Sequence, residues 1–273
     1  MNAASSPSLP SLSRRKVALA TVDLDVIEGG AGRTLMFLHD EHGLEVSAPF
    51  LAQLAARFHV VAPLSSGFGG TELPGWMNSV DDFVHANLEL AHRLGLERII
   101  LVGASIGGWI AAEMATKAMR LVDRLVLIGP IGIKVGPIDR LDVPDIYAMP
   151  QSEVDRLFYA RPEQWRLDPA TKSDAELAIV AQNRETLALV TWEPFMHNPK
   201  LKHRLPAIDR PTLVLRGAED GFVSQPYAES FARLIPGARL ATIAGAGHFP
   251  HVEQPAALVE SVARFADEGG EGR

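Results

Sequence analysis

Short apolar runs bounded by turn residues alternate along this chain with longer stretches of helical periodicity. That alternation admits few architectures other than a mainly parallel sheet covered by helices. The runs fall at residues 34–38, 59–62, 98–102, 124–128, 212–215 and 240–243, with a weaker opening pair within 16–27. Between them, 79–94 puts Val80, Phe83, Val84, Leu88, Ala91 and Leu94 on one face. Ser79 and Asp82 have the spacing of a capping box and Gly95 stands where a helix would end, so an amphipathic helix is expected there. Leu258, Val259, Val262 and Phe265 make a similar last helix behind Pro255, a residue suited to a first helical turn.

The alternation fails over 131–206, where Pro137, Pro144, Pro150, Pro162 and Pro169 separate short helical patterns and no strand run appears. That stretch reads as an inserted helical cap. The expected organisation is a disordered N-terminal segment over 1–14, a core made of 15–130 and 207–273, and the cap of 131–206. Disorder is expected at the start because its Ser, Ala and Pro residues cannot bury much. The cap aromatics, Tyr147, Phe158, Tyr159, Trp165, Trp192 and Phe195, are no denser than elsewhere and read as packing residues.

Composition narrows the function classes. A chain of 273 residues, 47% hydrophobic, can bury a sizeable core in one domain with one inserted subdomain. Lys and Arg total 26 against 33 Asp and Glu, a net charge of −7 that offers no broad basic patch to nucleic acid. The absence of cysteine removes thiolate nucleophiles, disulfides and cysteine-ligated metals. No run approaches the roughly 18 consecutive apolar residues of a membrane span, and Asp23 and Asp25 interrupt the one stretch that could serve as a signal peptide. The expected address is the cytoplasm, and the expected partner is a small-molecule substrate rather than nucleic acid or a membrane. A homodimer is compatible with this reading.

Gly103, Ala104, Ser105, Ile106 and Gly107 spell G-x-S-x-G. Such a match arises by chance in roughly one chain of this length in ten, so it counts only through its setting. Here it has one: a strand run precedes it, and Trp109, Ile110, Ala111, Ala112, Met114 and Ala115 continue it as a helix. A strand-to-helix turn tight enough to expose a serine needs small residues on either side, which Gly103 and Gly107 supply. The competing reading is a glycine-rich phosphate loop or a plain turn.

Serine is a poor nucleophile at neutral pH and needs a histidine base oriented by a carboxylate. The run 212–215 leads into Glu219 and Asp220, and the run 240–243 leads into His248, so both partners stand at the ends of neighbouring strands, where an open α/β sheet gathers its site. The order Ser, Asp, His is that of a nucleophile elbow followed by its partners.

With these three motifs in place, the chain resembles the α/β hydrolase superfamily over 16–267. GHFPHVEQP resembles the family's surroundings of its histidine, and PTLVLRGAED the segment carrying its acid. The resemblance implies an eight-stranded, mostly parallel sheet with a helical lid inserted after the sixth strand, and neither metal nor organic cofactor. It implies Ser105 as nucleophile, His248 as general base and then acid, and Asp220 as the carboxylate that orients His248. Glu219 is the rival of Asp220, set aside because the family spacing from Gly217 selects Asp220. Of nine histidines, His251 is the nearest rival of His248 and reads as a rim or packing residue. The backbone N–H groups of Ile106 and, by alignment on His39, of Glu41 are the implied oxyanion donors. The family usually has His-Gly where this chain has His39 and Asp40. Asp40, Glu41 and His42 beside a nucleophile also suggest a metal site, but they match no common metal motif and read as solvated loop charge.

Serine at the elbow departs from the aspartate of the haloalkane dehalogenase and epoxide hydrolase branches, which leaves acyl chemistry. Carboxylic esters and lactones come first, and carbon-carbon bonds of diketone-like ring-cleavage products second. A non-catalytic ligand receptor on the same fold is the alternative of a different class.

Overall fold

The computed structural model describes residues 11–268. Its strands are β1 (Ser13–Ala18), β2 (Asp23–Gly29), β3 (Thr34–Leu38), β4 (His59–Leu64), β5 (Ile99–Ala104), β6 (Val122–Ile128), β7 (Thr212–Gly217) and β8 (Arg239–Ile243). They form one sheet in the order β1-β2-β4-β3-β5-β6-β7-β8. β2 runs antiparallel to both of its neighbours, and the other pairings, from β4 across to β8, are parallel.

Ten helices accompany the sheet among the described residues: α1 (Ala48–Ala55), α2 (Val80–Arg93), α3 (Ile106–Lys117), α4 (Gln151–Phe158), α5 (Pro162–Trp165), α6 (Asp174–Thr191), α7 (Leu201–Arg204), α8 (Gln225–Leu234), α9 (Pro250–Glu253) and α10 (Pro255–Asp267). α2 starts at the expected capping box, with the Asp82 carboxylate accepting from the Ser79 N–H and hydroxyl at 3.0 and 2.7 Å. The runs of the central strands are apolar without alternation because helices cover both faces: every residue of β5 is buried. α4 to α7 all lie between β6 and β7, and no strand interrupts them.

Two local expectations are corrected. Ser13 and Arg14, expected within a disordered segment, belong to β1 and pair with Glu28 and Ile27 of β2. A ladder is made by main-chain groups and needs no apolar side chain, and charged residues suit an exposed edge strand. Arg14 adds an ion pair to Glu45 at 3.1 Å and Arg15 one to Glu28 at 2.7 Å. The disorder expected over 1–10 lies outside the described residues. Arg98, read as the first residue of the fifth strand, sits at φ +48° in the turn before it.

The topology fixes where a site can form. β3 stands between β4 and β5, so the connections leaving β3 and β5 depart in opposite directions and open a crevice beyond the carboxyl ends of these two strands. The loop after β3 carries residues 39–43, and the turn after β5 carries Ser105.

Candidate active site

β5 ends at Ala104 and α3 begins at Ile106, so a single residue, Ser105, makes the whole reversal. It adopts φ +50° and ψ −115°, a conformation that costs a non-glycine residue about 1–3 kcal/mol and persists only where its surroundings hold it. They do so here. The Ser105 N–H donates to the Ile128 carbonyl at 2.9 Å, while Gly108 and Trp109 N–H donate to the Ser105 carbonyl at 3.0 and 3.2 Å. A Cβ on Gly107 would lie 2.2 Å from the Leu38 carbonyl oxygen, so only glycine lets the first turn of α3 press against the end of β3. That contact brings the loop after β3 beside Ser105.

His248 and Asp220 complete a line. His248 Nε2 is 2.9 Å from Ser105 Oγ, and His248 Nδ1 is 2.9 Å from Asp220 Oδ2. All three residues are buried. Asp220 Oδ1 accepts the Phe222 and Val223 N–H groups at 2.9 and 2.8 Å, which fixes the carboxylate plane and leaves Oδ2 for the imidazole. The rival Glu219 is exposed and turns away, accepting the Ala246 N–H at 3.1 Å. A Cβ on Gly217 would meet the Gly247 carbonyl oxygen at 1.9 Å, so glycine is required for the acid loop and the histidine loop to lie against each other. Burial pushes the His248 imidazole down, but the charge and hydrogen bond of Asp220, with Glu41 and Asp40 adding, more than offset this and hold it above the ordinary histidine value.

The loop after β3 is where the chain departs from expectation. Ser65 N–H donates to His39 Nε2 at 3.0 Å, so His39 Nδ1 carries the proton and donates to the Asp40 carbonyl at 2.5 Å. The Asp40 carboxylate is fully buried. Its Oδ1 accepts the His42 N–H at 2.6 Å and its Oδ2 accepts from His251 Nε2 at 2.6 Å. Burial would raise this carboxyl, but the hydrogen bonds from His251 and His42 outweigh it and hold Asp40 well below the usual carboxylate range. His251 is thus neither rim nor plain packing: its side chain is fully buried and ties α9 to this loop. Asp40 is likewise not solvated loop charge. His39 faces Ser65 while Asp40 is shared by His42 and His251, and among the described residues no group of three or more His, Asp or Glu is arranged to hold a metal ion.

Ile106 opens α3, so its N–H has no acceptor within the helix. The Glu41 N–H finds no acceptor among the described residues.

Residues 30–261 match the alpha/beta hydrolase family. The chain belongs to that family. It is 28% identical over 271 residues to a 2-hydroxymuconate semialdehyde hydrolase of a Pseudomonas species, covering 93% of this chain and 94% of the other. It is 26% identical over 191 residues to an esterase of Escherichia coli, covering 63% and 69%. Among solved structures, a bacterial membrane phospholipase A superposes with a TM-score of 0.80 at 23% identity, covering 96% of this chain and 87% of that one, which shows a shared fold.

Within this alpha/beta hydrolase, three residues without an assigned role in the sequence support the line. Arg216, at the end of β7, donates to the carbonyls of Val223 and Ala218 at 2.8 and 3.1 Å and to that of Asp220, stapling the acid loop closed. Glu253 accepts the N–H groups of Gly247 and Ala160 at 2.5 and 3.0 Å, binding the histidine loop to the segment after α4. Phe158, read only as a packing residue, stacks on the His248 ring at 5.7 Å, and its carbonyl accepts the His248 N–H at 2.6 Å. An arginine one residue beyond an apolar strand run and a glutamate inside the GHFPHVEQP stretch are visible signals; nothing local marks Phe158.

Proposed function

We propose that this alpha/beta hydrolase cleaves a small carboxylic ester or lactone through an acyl-enzyme on Ser105. His248 takes the proton of Ser105 Oγ as the oxygen attacks the carbonyl carbon. The tetrahedral oxyanion is stabilised by the N–H groups of Ile106 and Glu41. The leaving alcohol departs with the proton from His248, which then takes a proton from water as the water oxygen attacks the acyl carbon, and returns it to Ser105 Oγ as the acid is released. Asp220 keeps the Nδ1–H tautomer and stabilises the imidazolium between these transfers. Residues 131–206 act as the cap over this site.

The observation that carries the reading is the continuous Ser105–His248–Asp220 line, with each contact at 2.9 Å and the serine held at positive φ. The test is Ser105→Ala. Hydrolysis of short p-nitrophenyl esters and labelling by a fluorophosphonate should both vanish while the circular dichroism spectrum is retained. An undiminished rate would remove Ser105 from the mechanism. A folded wild-type protein that is never labelled would favour a ligand receptor instead.

Likeness to the Pseudomonas hydrolase across nearly the whole chain favours a second reading, cleavage of a carbon-carbon bond in a ring-cleavage product. The same serine and histidine serve that chemistry. Loss of the substrate's visible absorbance on incubation with 2-hydroxymuconate semialdehyde would support it.

A further inference from the structure

Glu41 is unlike every other buried carboxylate near the site. Asp220 has His248, Asp40 has His42 and His251, and Glu253 has three backbone N–H groups. Glu41 is 7% exposed, and both of its carboxylate oxygens are buried with no hydrogen-bond partner among the described residues. It stands in the loop after β3, two residues beyond His39, whose carbonyl oxygen a Cβ on Gly107 would meet at 2.4 Å, so this loop lies against the first turn of α3 beside Ser105. Arg184 of α6 does not supply the missing partner: its guanidinium donates to Gln151 Oε1 at 2.5 Å and to the Ile146 carbonyl at 3.4 Å, and lies over the Tyr147 ring.

A carboxylate taken out of water without donors is strongly unfavourable. It is also badly placed for the reaction, since a negative charge beside a developing oxyanion opposes the transition state. Both penalties disappear together if the missing partner arrives with the substrate. We propose that the Glu41 carboxylate binds a protonated amine carried by the substrate, so that the preferred esters are small and cationic.

This inference rests on the serine-hydrolase reading and deepens it. A carbonyl held by the Glu41 N–H lies within a side chain's length of the same residue's carboxylate, so the amine belongs a few bonds from the scissile carbonyl. Anionic substrates would set a second negative charge against Glu41, which separates this site from one for ring-cleavage acids.

The test compares three series of ethyl esters at pH 7, with wild type and Glu41→Gln. The first runs from 3-aminopropanoate to 6-aminohexanoate. The second replaces each ammonium by methyl, and the third by carboxylate in the monoethyl dicarboxylates. In wild type, kcat/KM at the best length should favour ammonium over methyl by about tenfold to a hundredfold, the range of a charge-assisted hydrogen bond, with carboxylate last. In Glu41→Gln the ammonium-to-methyl ratio should fall to about one. A ratio near one in wild type at every length, or a ratio unchanged by Glu41→Gln, overturns the proposal. The wild-type ratio needs no variant, and fluorophosphonate labelling of Ser105 reports whether Glu41→Gln is folded. Neutral esters cleaved without charge preference would refute this inference alone. Failure to cleave any ester, with Ser105 unlabelled, would refute the hydrolase reading as well.

Discussion

Replacing His251 by Ala tests whether the Asp40 pair holds the loop after β3. The substitution leaves a carboxylate with a fully buried side chain that has lost its 2.6 Å donor from His251 and keeps only those of His42. Removing one member of a buried charged pair costs about 3–5 kcal/mol, and the surviving His42 contacts put the expectation at the lower end, about 3 kcal/mol. For a chain of this size that corresponds to a fall in Tm of about 6–12 °C, readable by tryptophan fluorescence in a thermal or urea transition. The sign of the pH dependence comes from the lowered Asp40 carboxyl: the pair's contribution is complete above the unfolded carboxylate pKa of about 3.9 and is lost as pH falls through the folded value. The wild-type and variant stabilities should therefore converge in acid. If the loop shifts, the Glu41 N–H proposed as an oxyanion donor is displaced, and kcat should fall about tenfold or more with KM nearly unchanged, part of the 10²–10³ that a complete donor loss costs. Asp40→Leu with His251→Leu should recover most of the stability, because a buried pair replaced as a whole leaves no orphaned charge. A Tm within about 2 °C of wild type and a kcat within about twofold for His251→Ala would refute the reasoning.

Asp220→Asn should lower kcat on a p-nitrophenyl ester by up to about 10⁴, while Glu219→Gln changes it little; the reverse order would transfer the carboxylate role to Glu219. The pH profile of kcat/KM should show an acid limb centred above the ordinary histidine value of about 6.5, since His248 must be neutral to act and is held upward by Asp220; a limb centred below that value in wild type would contradict it.

Legibility in the sequence tracked the kind of force at work. The strands from β3 to β7 were visible because burial on both faces leaves continuous apolar runs, as in the fully buried β5, whereas the edge strand β8 is largely exposed and showed only as the short run at 240–243. Ser105 stood out because the elbow demands small residues at fixed offsets. β1 was only partly legible: its pairing is main-chain, and its side chains, exposed from Ser13 to Lys16, carry no apolar pattern. The Asp40–His251 bond was invisible for a different reason. The partners are 211 residues apart, and a histidine or aspartate outside a periodic segment looks the same whether it is solvated or buried against its mate. Arg216 was overlooked because its acceptors are carbonyls of the loop it closes, and carbonyls have no residue type to read.

The end of α4 is sewn into the loops that carry Asp220 and His248. Leu157 carbonyl accepts the Gly221 N–H at 3.0 Å, Phe158 carbonyl accepts the His248 N–H at 2.6 Å, and Ala160 N–H donates to Glu253 at 3.0 Å. Anyone exchanging residues between β6 and β7 for those of a relative, to graft a new substrate range, would meet this seam first. A crossover placed within 157–160 would unpick the moorings of His248 along with the old pocket. Chimeras that retain 157–160 from the recipient and exchange only residues beyond 160 should keep their turnover machinery intact.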